Sequence, residues 1–201
     1  LGAIERLENE LPHFGEVGLC IMAPSAMRML SGKIPEQTTG LRLVFEEFQR
    51  ECCDRELERL ADLGNECGAQ FVVAIGGGKT IDTGKVVADR LSTPVAVVPT
   101  IASTDAPCSA CAVVYSEEGV VVRIEYQKRN PDLVLVDSAI VANAPERYLI
   151  AGMGDALATR FEAESCREAK RENEAGGLGS LTAYALARLC YDTLLEYGVA
   201  A

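Results

Sequence analysis

Three stretches carry residue types and spacings suited to chemistry. In FVVAIGGGKTIDTGKVVAD (71–89), an apolar run opens onto Gly76, Gly77 and Gly78, and a helical pattern follows. A strand turning through bare glycines into a helix presents unpaired amides at the helix start, which suits a phosphate or pyrophosphate. Lys79 adds a positive charge. Neither standard phosphate fingerprint fits: Walker A needs glycine where Val73 stands, and GxGxxG needs one where Ile81 stands. The competing reading is a tight strand–helix turn with no ligand, which a single glycine would satisfy.

The second stretch, VPTIASTDAPCSA (98–110), is a polar loop after an apolar strand, where ligands bind in open α/β sheets. Thr100, Ser103, Thr104 and Ser109 offer hydroxyls and Asp105 a carboxylate; an ordinary capped loop is the alternative. In the third, AGMGDALATRFEA (151–163), Asp155 stands among small apolar residues, with Gly152 and Gly154 allowing close approach. A carboxylate on such a face costs free energy unless it is paired or binds a metal. It could instead cap a restarted helix, and one carboxylate does not specify a metal site. Cys108 and Cys111 form a CxxC, but a zinc site needs a second ligand pair, and the single histidine, His13, is far away in sequence. A redox pair should open a helix, whereas a strand follows here. The eight cysteines, irregularly spaced, read as free thiols in a reducing cytosol.

The elements that must position these residues alternate. Residues 1–12 read as a short amphipathic helix with Ile4, Leu7 and Leu11 on one face, and 17–23 as an apolar strand closed by Pro24. Ser25 is expected to cap a helix over 26–32. Leu41, Leu43 and Phe45 alternate as in a strand, and Asp54 is expected to cap a helix whose inner face holds Leu57, Leu60, Ala61 and Cys67. Buried strands are expected at 69–75 and 94–100 and again at 132–137; 111–126 reads as a hairpin turning at Glu117-Glu118-Gly119. Continuous apolar strands alternating with helices indicate a parallel sheet covered on both faces. From Pro145 the pattern is helical: one long amphipathic helix interrupted by Gly152 and Gly154, a glycine-rich break at 176–179, and a further amphipathic helix. The fold class expected is therefore α/β, a Rossmann-like parallel-sheet domain over 1–144 followed by the start of an all-helical domain over 145–201. The apolar faces of that second domain lack further helices to bury them, and the chain starts at Leu1, so a fragment or truncated chain is expected.

A net charge of −11 argues against nucleic acid and anionic membrane surfaces, and the longest apolar runs are strand-sized, such as Val95–Val98. Nothing at the start reads as a secretory signal. A small solute or cofactor in the cytoplasm is the expectation.

Taken together, AIGGGKTIDTGKVVAD, VPTIASTDAPCSA, VVYSEEG, NPDLVLVDSAIVANAPERYL and AGMGDALAT resemble the glycerol dehydrogenases of the iron-containing (group III) alcohol dehydrogenase superfamily. That superfamily also includes glycerol-1-phosphate dehydrogenase and dehydroquinate synthase. The similarity runs nearly continuously from Cys52 to Cys190, and GGGKTIDT joined to PTIASTDAPCSA is its most specific part. The resemblance implies the dehydroquinate synthase-like fold, with an NAD-binding domain, a helical metal-binding domain and the active site between them. It implies that Gly76, Gly77, Gly78, Lys79 and Thr80 hold the NAD pyrophosphate, with Thr100, Ser103, Ser109, Cys111 and Tyr115 as further NAD contacts. Asp105 matches the residue that touches the polyol, and Asp155 the acidic ligand of a Zn2+ ion. The implied reaction is NAD-dependent oxidation of glycerol to dihydroxyacetone, in a homo-oligomer if the chain is intact.

Two departures accompany the resemblance. The two histidines that complete the zinc site should lie beyond residue 201, and His13 cannot replace them, so this chain alone holds one ligand of three and is expected to be inactive. The first strand of the family usually ends in an aspartate that binds the adenosine ribose; here CIMAPSAM places Ala23 and Pro24 there, weakening the preference for NAD over NADP. The strand that precedes Leu1 in relatives is also missing. The alternatives are a non-catalytic nucleotide-binding relic and a related polyol or glycerol-phosphate dehydrogenase, the last disfavoured because no basic cluster for a substrate phosphate is visible.

Overall fold

Short apolar runs with no polar alternation suit strands buried on both faces, and that is how they fold. The computed structural model describes residues 1–30, 32–173 and 176–200. It forms two compact units, Leu1–Ala102 with Ala106–Ala144, and Ser103–Asp105 with the chain from Pro145 onward.

The first unit is built on β1 (Val17–Met22), β2 (Gln37–Thr38), β3 (Leu41–Glu47), β4 (Phe71–Gly76), β5 (Val95–Pro99) and β8 (Leu133–Val134), in the order β2-β3-β1-β4-β5-β8. β1 pairs in parallel with both β3 and β4, β5 with both β4 and β8; only β2 runs antiparallel to its neighbour. Side chains alternate across this sheet. Leu19, Ile21, Val72, Ala74 and Val97 face a core shared with α3 (Asp54–Cys67) and α4 (Gly78–Leu91). Cys20, Met22, Phe71, Val73, Ile75, Ala96 and Val98 face the opposite core, closed by Leu7, Leu11 and α2 (Pro24–Leu30). The amino-terminal segment is helical in short pieces, with α1 at Leu7–Glu10 between 3-10 turns. The Asp137 carboxylate ties it down, accepting from the amides of Gly2 (3.3 Å) and Ile4 (3.1 Å). The Ile4 amide, with those of Ala139 and Gly2, holds that carboxyl below the usual carboxylate range.

The hairpin over 111–126 is present as β6 (Cys111–Tyr115) and β7 (Val121–Tyr126). Ala112 and Val114 of β6 join the core over α4, while Val121, Val122 and Ile124 face solvent. α4 lies close on β4 because Gly84 has no side chain; a Cβ there would come within 2.4 Å of the Ala74 Cβ.

Several local expectations change. α2 begins at Pro24, a residue whose fixed φ and missing N–H suit a first helical position, so Ser25 lies inside it; of the expected span 26–32, residue 31 lies outside the described residues. α3 is preceded by Cys53, and Asp54 is its first residue. The Asp54 carboxylate is bound by the Arg123 guanidinium on β7 at 2.7 and 2.9 Å, which holds it below its ordinary value. β8 spans two half-buried residues instead of six: Asp132 uses its side chain to accept from the Val95 amide (2.9 Å), and Asp137 turns away to cap α5 (Ser138–Ala142).

In the second unit α6 (Glu146–Ala169) runs uninterrupted through Gly152 and Gly154, against the expected break. Each glycine costs a helix about 1 kcal/mol relative to alanine, which the flanking helix formers outweigh. α7 (Leu181–Tyr197) is capped by the Ser180 hydroxyl, which accepts from the Ala183 amide. It packs on α6 through Phe161 edge-on to Tyr191 (5.7 Å) and through Arg160 and Arg167, each 4.3 Å from the ring of Tyr191 and Tyr184 respectively. No described helix is long and apolar enough to cross a membrane.

Candidate functional site

The glycine turn lies at the carboxyl end of the central strand. Gly76 closes β4 opposite Pro99 of β5, and the Thr100 amide donates to the Gly76 carbonyl at 2.9 Å, so Thr100 is held, buried, beside the turn. Gly77 then caps α4 in an extended conformation with no side chain supplying an acceptor to the first turn. The amides of Gly78, Lys79 and Thr80 therefore start a fourteen-residue helix whose positive end is uncapped, a ready site for an anion.

Packing within the protein accounts firmly for one of the three glycines. A Cβ on Gly76 would meet Thr80 Oγ1 at 2.7 Å and Ala23 Cβ at 2.9 Å; one on Gly77 would meet Ile101 Cδ1 at 2.8 Å. The Ile101 contact is with the far end of a flexible side chain, so packing firmly demands one glycine, Gly76, as a ligand-free turn would. Thr80 is buried against Gly76, which leaves its amide, not its hydroxyl, for a ligand. Ala23 follows β1 on the other side of the turn, its amide bound to the Ile75 carbonyl (2.9 Å).

Lys79 is already engaged. Its Nζ lies 2.7 Å from Glu51 Oε2 and 4.4 Å above the ring of Tyr115, so the structure brings Lys79 and Tyr115 together but pairs the charge with a carboxylate. Tyr115 is itself fixed by its amide, which donates to the Cys52 carbonyl at 2.8 Å. Ser109 and Cys111 are half-buried in and after the loop that follows β5. What gathers that loop is Lys85, buried on α4, ion-paired with Asp82 and hydrogen-bonded to the carbonyls of Ala106, Ser109 and Cys111. Neither Asp82 nor Lys85 stands out from residue types and spacing. The one available signal is a lysine three residues after an aspartate on a helix whose other members, Ile81, Val86 and Val87, are buried apolar residues.

All eight thiols are free. Burial pushes the Cys52 thiol up to about 12 and that of Cys20 higher still, which leaves both inert. Cys108 is exposed at the loop surface, and Cys111 begins a strand, not a helix.

In the second unit Ser103, Thr104 and Asp105 pack with the helices, and the Asp105 amide donates to Asp155 Oδ2 at 3.2 Å. The two carboxylate residues singled out in the sequence are therefore neighbours. Asp155 lies mid-helix, its carbonyl accepting from the Thr159 hydroxyl (3.3 Å), so it is not the cap of a restarted helix. It is also exposed, and the burial cost anticipated for it does not arise. Among the described residues no group of three or more His, Cys, Asp or Glu side chains is placed to hold a metal ion. Asp155 alone does not make a metal centre, and His13 lies at the end of a 3-10 turn in the other unit.

The sequence profile of the iron-containing alcohol dehydrogenases matches residues 1–138. The chain is 54% identical over 201 residues to a glycerol dehydrogenase of Thermotoga maritima, covering 100% of this chain and 55% of that protein. It is 46% identical over 198 residues to a glycerol dehydrogenase of Pseudomonas putida, covering 98% of this chain and 54% of the relative. The crystal structure of a probable glycerol dehydrogenase from Sinorhizobium meliloti 1021 superposes with a TM-score of 0.93 at 43% identity, over 98% of this chain and 55% of that one. The α/β fold expected from the sequence is thus the fold of that structure, and the chain spans about half the length of the relatives it matches.

Proposed function

The chain belongs to the iron-containing alcohol dehydrogenase family, and on that footing we propose that it binds NAD and serves the oxidation of glycerol to dihydroxyacetone. The observation that carries this reading is the uncapped amino terminus of α4 at the carboxyl end of β4, with Thr100 tied beside it. The first-turn amides from Gly78 to Thr80 would bind the pyrophosphate, with Gly76 and Gly77 giving the turn its shape. Lys79 would add its charge on leaving Glu51, and Thr100, Ser103, Ser109, Cys111 and Tyr115 would line the dinucleotide. Asp105 would orient the polyol by hydrogen bonding its hydroxyls. Asp155 would be one ligand of a zinc ion, which when bound lowers the pKa of the alcohol to be oxidised. Among the described residues no group of three such ligands is placed to complete that site. A domain boundary near residue 144, a homo-oligomeric assembly and a cytoplasmic location belong to the same proposal.

The test is a titration of the 201-residue chain with NADH and NADPH, followed by nicotinamide fluorescence, then a turnover assay with NAD, glycerol and Zn2+. Saturable NADH binding that ADP-ribose displaces is the expected result. Absence of binding by either nucleotide sinks the reading, and binding without turnover assigns the chain to nucleotide binding alone.

A further inference from the structure

Lys85 is the eighth residue of α4, and its side chain is 1% exposed. Its ammonium lies 2.9 Å from Asp82 Oδ1, 2.9 Å from the Ala106 carbonyl and 3.3 Å from both the carbonyl and the hydroxyl of Ser109, and it also donates to the Cys111 carbonyl. Three protons thus face five oxygens, four of them from the six residues 106–111. Asp82 is held in turn, its Oδ2 accepting from the Val113 amide at 3.1 Å.

A helix that needed only to pack here would carry methionine or leucine, since a buried ammonium is costly unless fully paired and hydrogen-bonded. The charge has a different use. It converges carbonyls that would otherwise repel one another, as a bound metal cation would, and so fixes the turn at 106–109 against the start of β6. There Cys111 pairs with Tyr126 and the Ala110 carbonyl accepts from the Gln127 amide at 2.9 Å. The Cys108 carbonyl is held separately by the Asn130 side-chain amide at 2.7 Å. The segment 106–111 carries Ser109 and Cys111. The same rigid helix begins at the glycine turn, and seven residues at about 1.5 Å each place Lys85 about 10 Å along its axis from Gly78.

We propose that Lys85 is a positioning residue of the dinucleotide site: its buried ammonium holds loop 106–111 so that Ser109 and Cys111 stand in register with the phosphate turn at the start of the same helix. The proposal rests on the dinucleotide reading above. Backbone 15N relaxation on the 201-residue chain without nucleotide reads the lock directly, because the ammonium holds carbonyls and leaves the loop amides unbonded to it. The amides of 106 and 108–111 should be as rigid as those of β4, and motion like that of the hairpin turn at 117–119 would overturn the idea. Lys85→Met removes the charge at similar length, and Asp82→Asn/Lys85→Met does so without stranding a buried carboxylate, since asparagine can still accept from Val113. In both variants the loop should lose that rigidity while β1 and β4 keep theirs. If the competent loop population falls to about a tenth, the apparent NADH dissociation constant rises about tenfold. ADP, which reaches the glycine turn without needing the loop, should bind as before. Unchanged loop rigidity in the double variant refutes the proposal, as does an equal loss of ADP and NADH affinity, which would make Lys85 a support of the fold at large. Should the wild-type chain bind no NADH, the dinucleotide reading fails, and the relaxation data still decide whether Lys85 orders the loop.

Discussion

At the scale of single residues, the phosphate turn is occupied by the protein's own groups. Lys79, the cation nearest the helix start in sequence, gives its charge to Glu51, and Glu51 in turn accepts from the Cys52 amide through its other oxygen at 3.0 Å. Glu51→Gln keeps an acceptor for that amide and removes the charge that competes with a bound pyrophosphate. A partly exposed ion pair of this kind is worth about 0.2–1 kcal/mol, so releasing Lys79 should tighten NADH binding about two- to fivefold at low ionic strength, as read by fluorescence titration, and the gain should shrink with added salt. Weaker binding in Glu51→Gln would instead mean that the carboxylate holds Lys79 in place for the phosphate. Much of this turn is legible from residue types: Gly76 to Thr80, Thr100 beyond the next strand, and the carboxylates of Asp105 and Asp155 all stand out in the sequence itself. What residue types do not convey is the pairing. Glu51 lies 28 residues before Lys79, and a contact of that separation leaves no trace in local spacing.

At the scale of elements, the sequence pattern locates the sheet well because burial on both faces admits only apolar residues, as at Phe71–Ile75 and Val95–Val98. It locates helix limits less well, since Asp54 and Ser25 have the chemistry of caps while tertiary partners and Pro24 set the actual starts. Glycines are the least legible feature, because an identical residue answers to opposite constraints in α4 and α6. Gly84 is pressed on β4, with Ala74 Cβ only 2.4 Å from where its own would stand, whereas Gly154 has nothing within 4 Å. Gly84→Ala gains helix propensity yet forces two elements apart, and overpacking of this kind costs about 1–3 kcal/mol. Gly154→Ala meets open space and should stabilise by up to about 1 kcal/mol. Urea denaturation of the two variants should therefore move in opposite directions. A shared sign would show that propensity alone, not the approach of α4 to β4, governs the glycine in both helices.

At the scale of the whole molecule, the two units differ in how much they bury. The first has a core on each face of its sheet, with Leu19, Ile21, Val72, Val73 and Ile75 fully inaccessible. The second buries no residue of α6 and only Ala187 of α7 among those described, and it exposes Leu181, Leu186, Leu189 and Leu195 along one helix. Helical hydrogen bonds without a covering core open at little cost, because local stability follows buried apolar contact. Amides of α6 and α7 should therefore exchange orders of magnitude faster than those of β1, β4 and β5 in the isolated chain. Thermal unfolding should depart from a single transition, with helical signal lost before the sheet melts. Limited proteolysis should trim the chain back toward Pro145 while leaving the glycine turn and Lys85 intact, since α4 belongs to the well-covered unit. The trimmed product should still bind ADP at the turn. Uniform protection across both units, or loss of ADP binding with the helices, would show that the amino-terminal core depends on α6 and α7 for its stability, and the two-unit description of the chain would have to be abandoned.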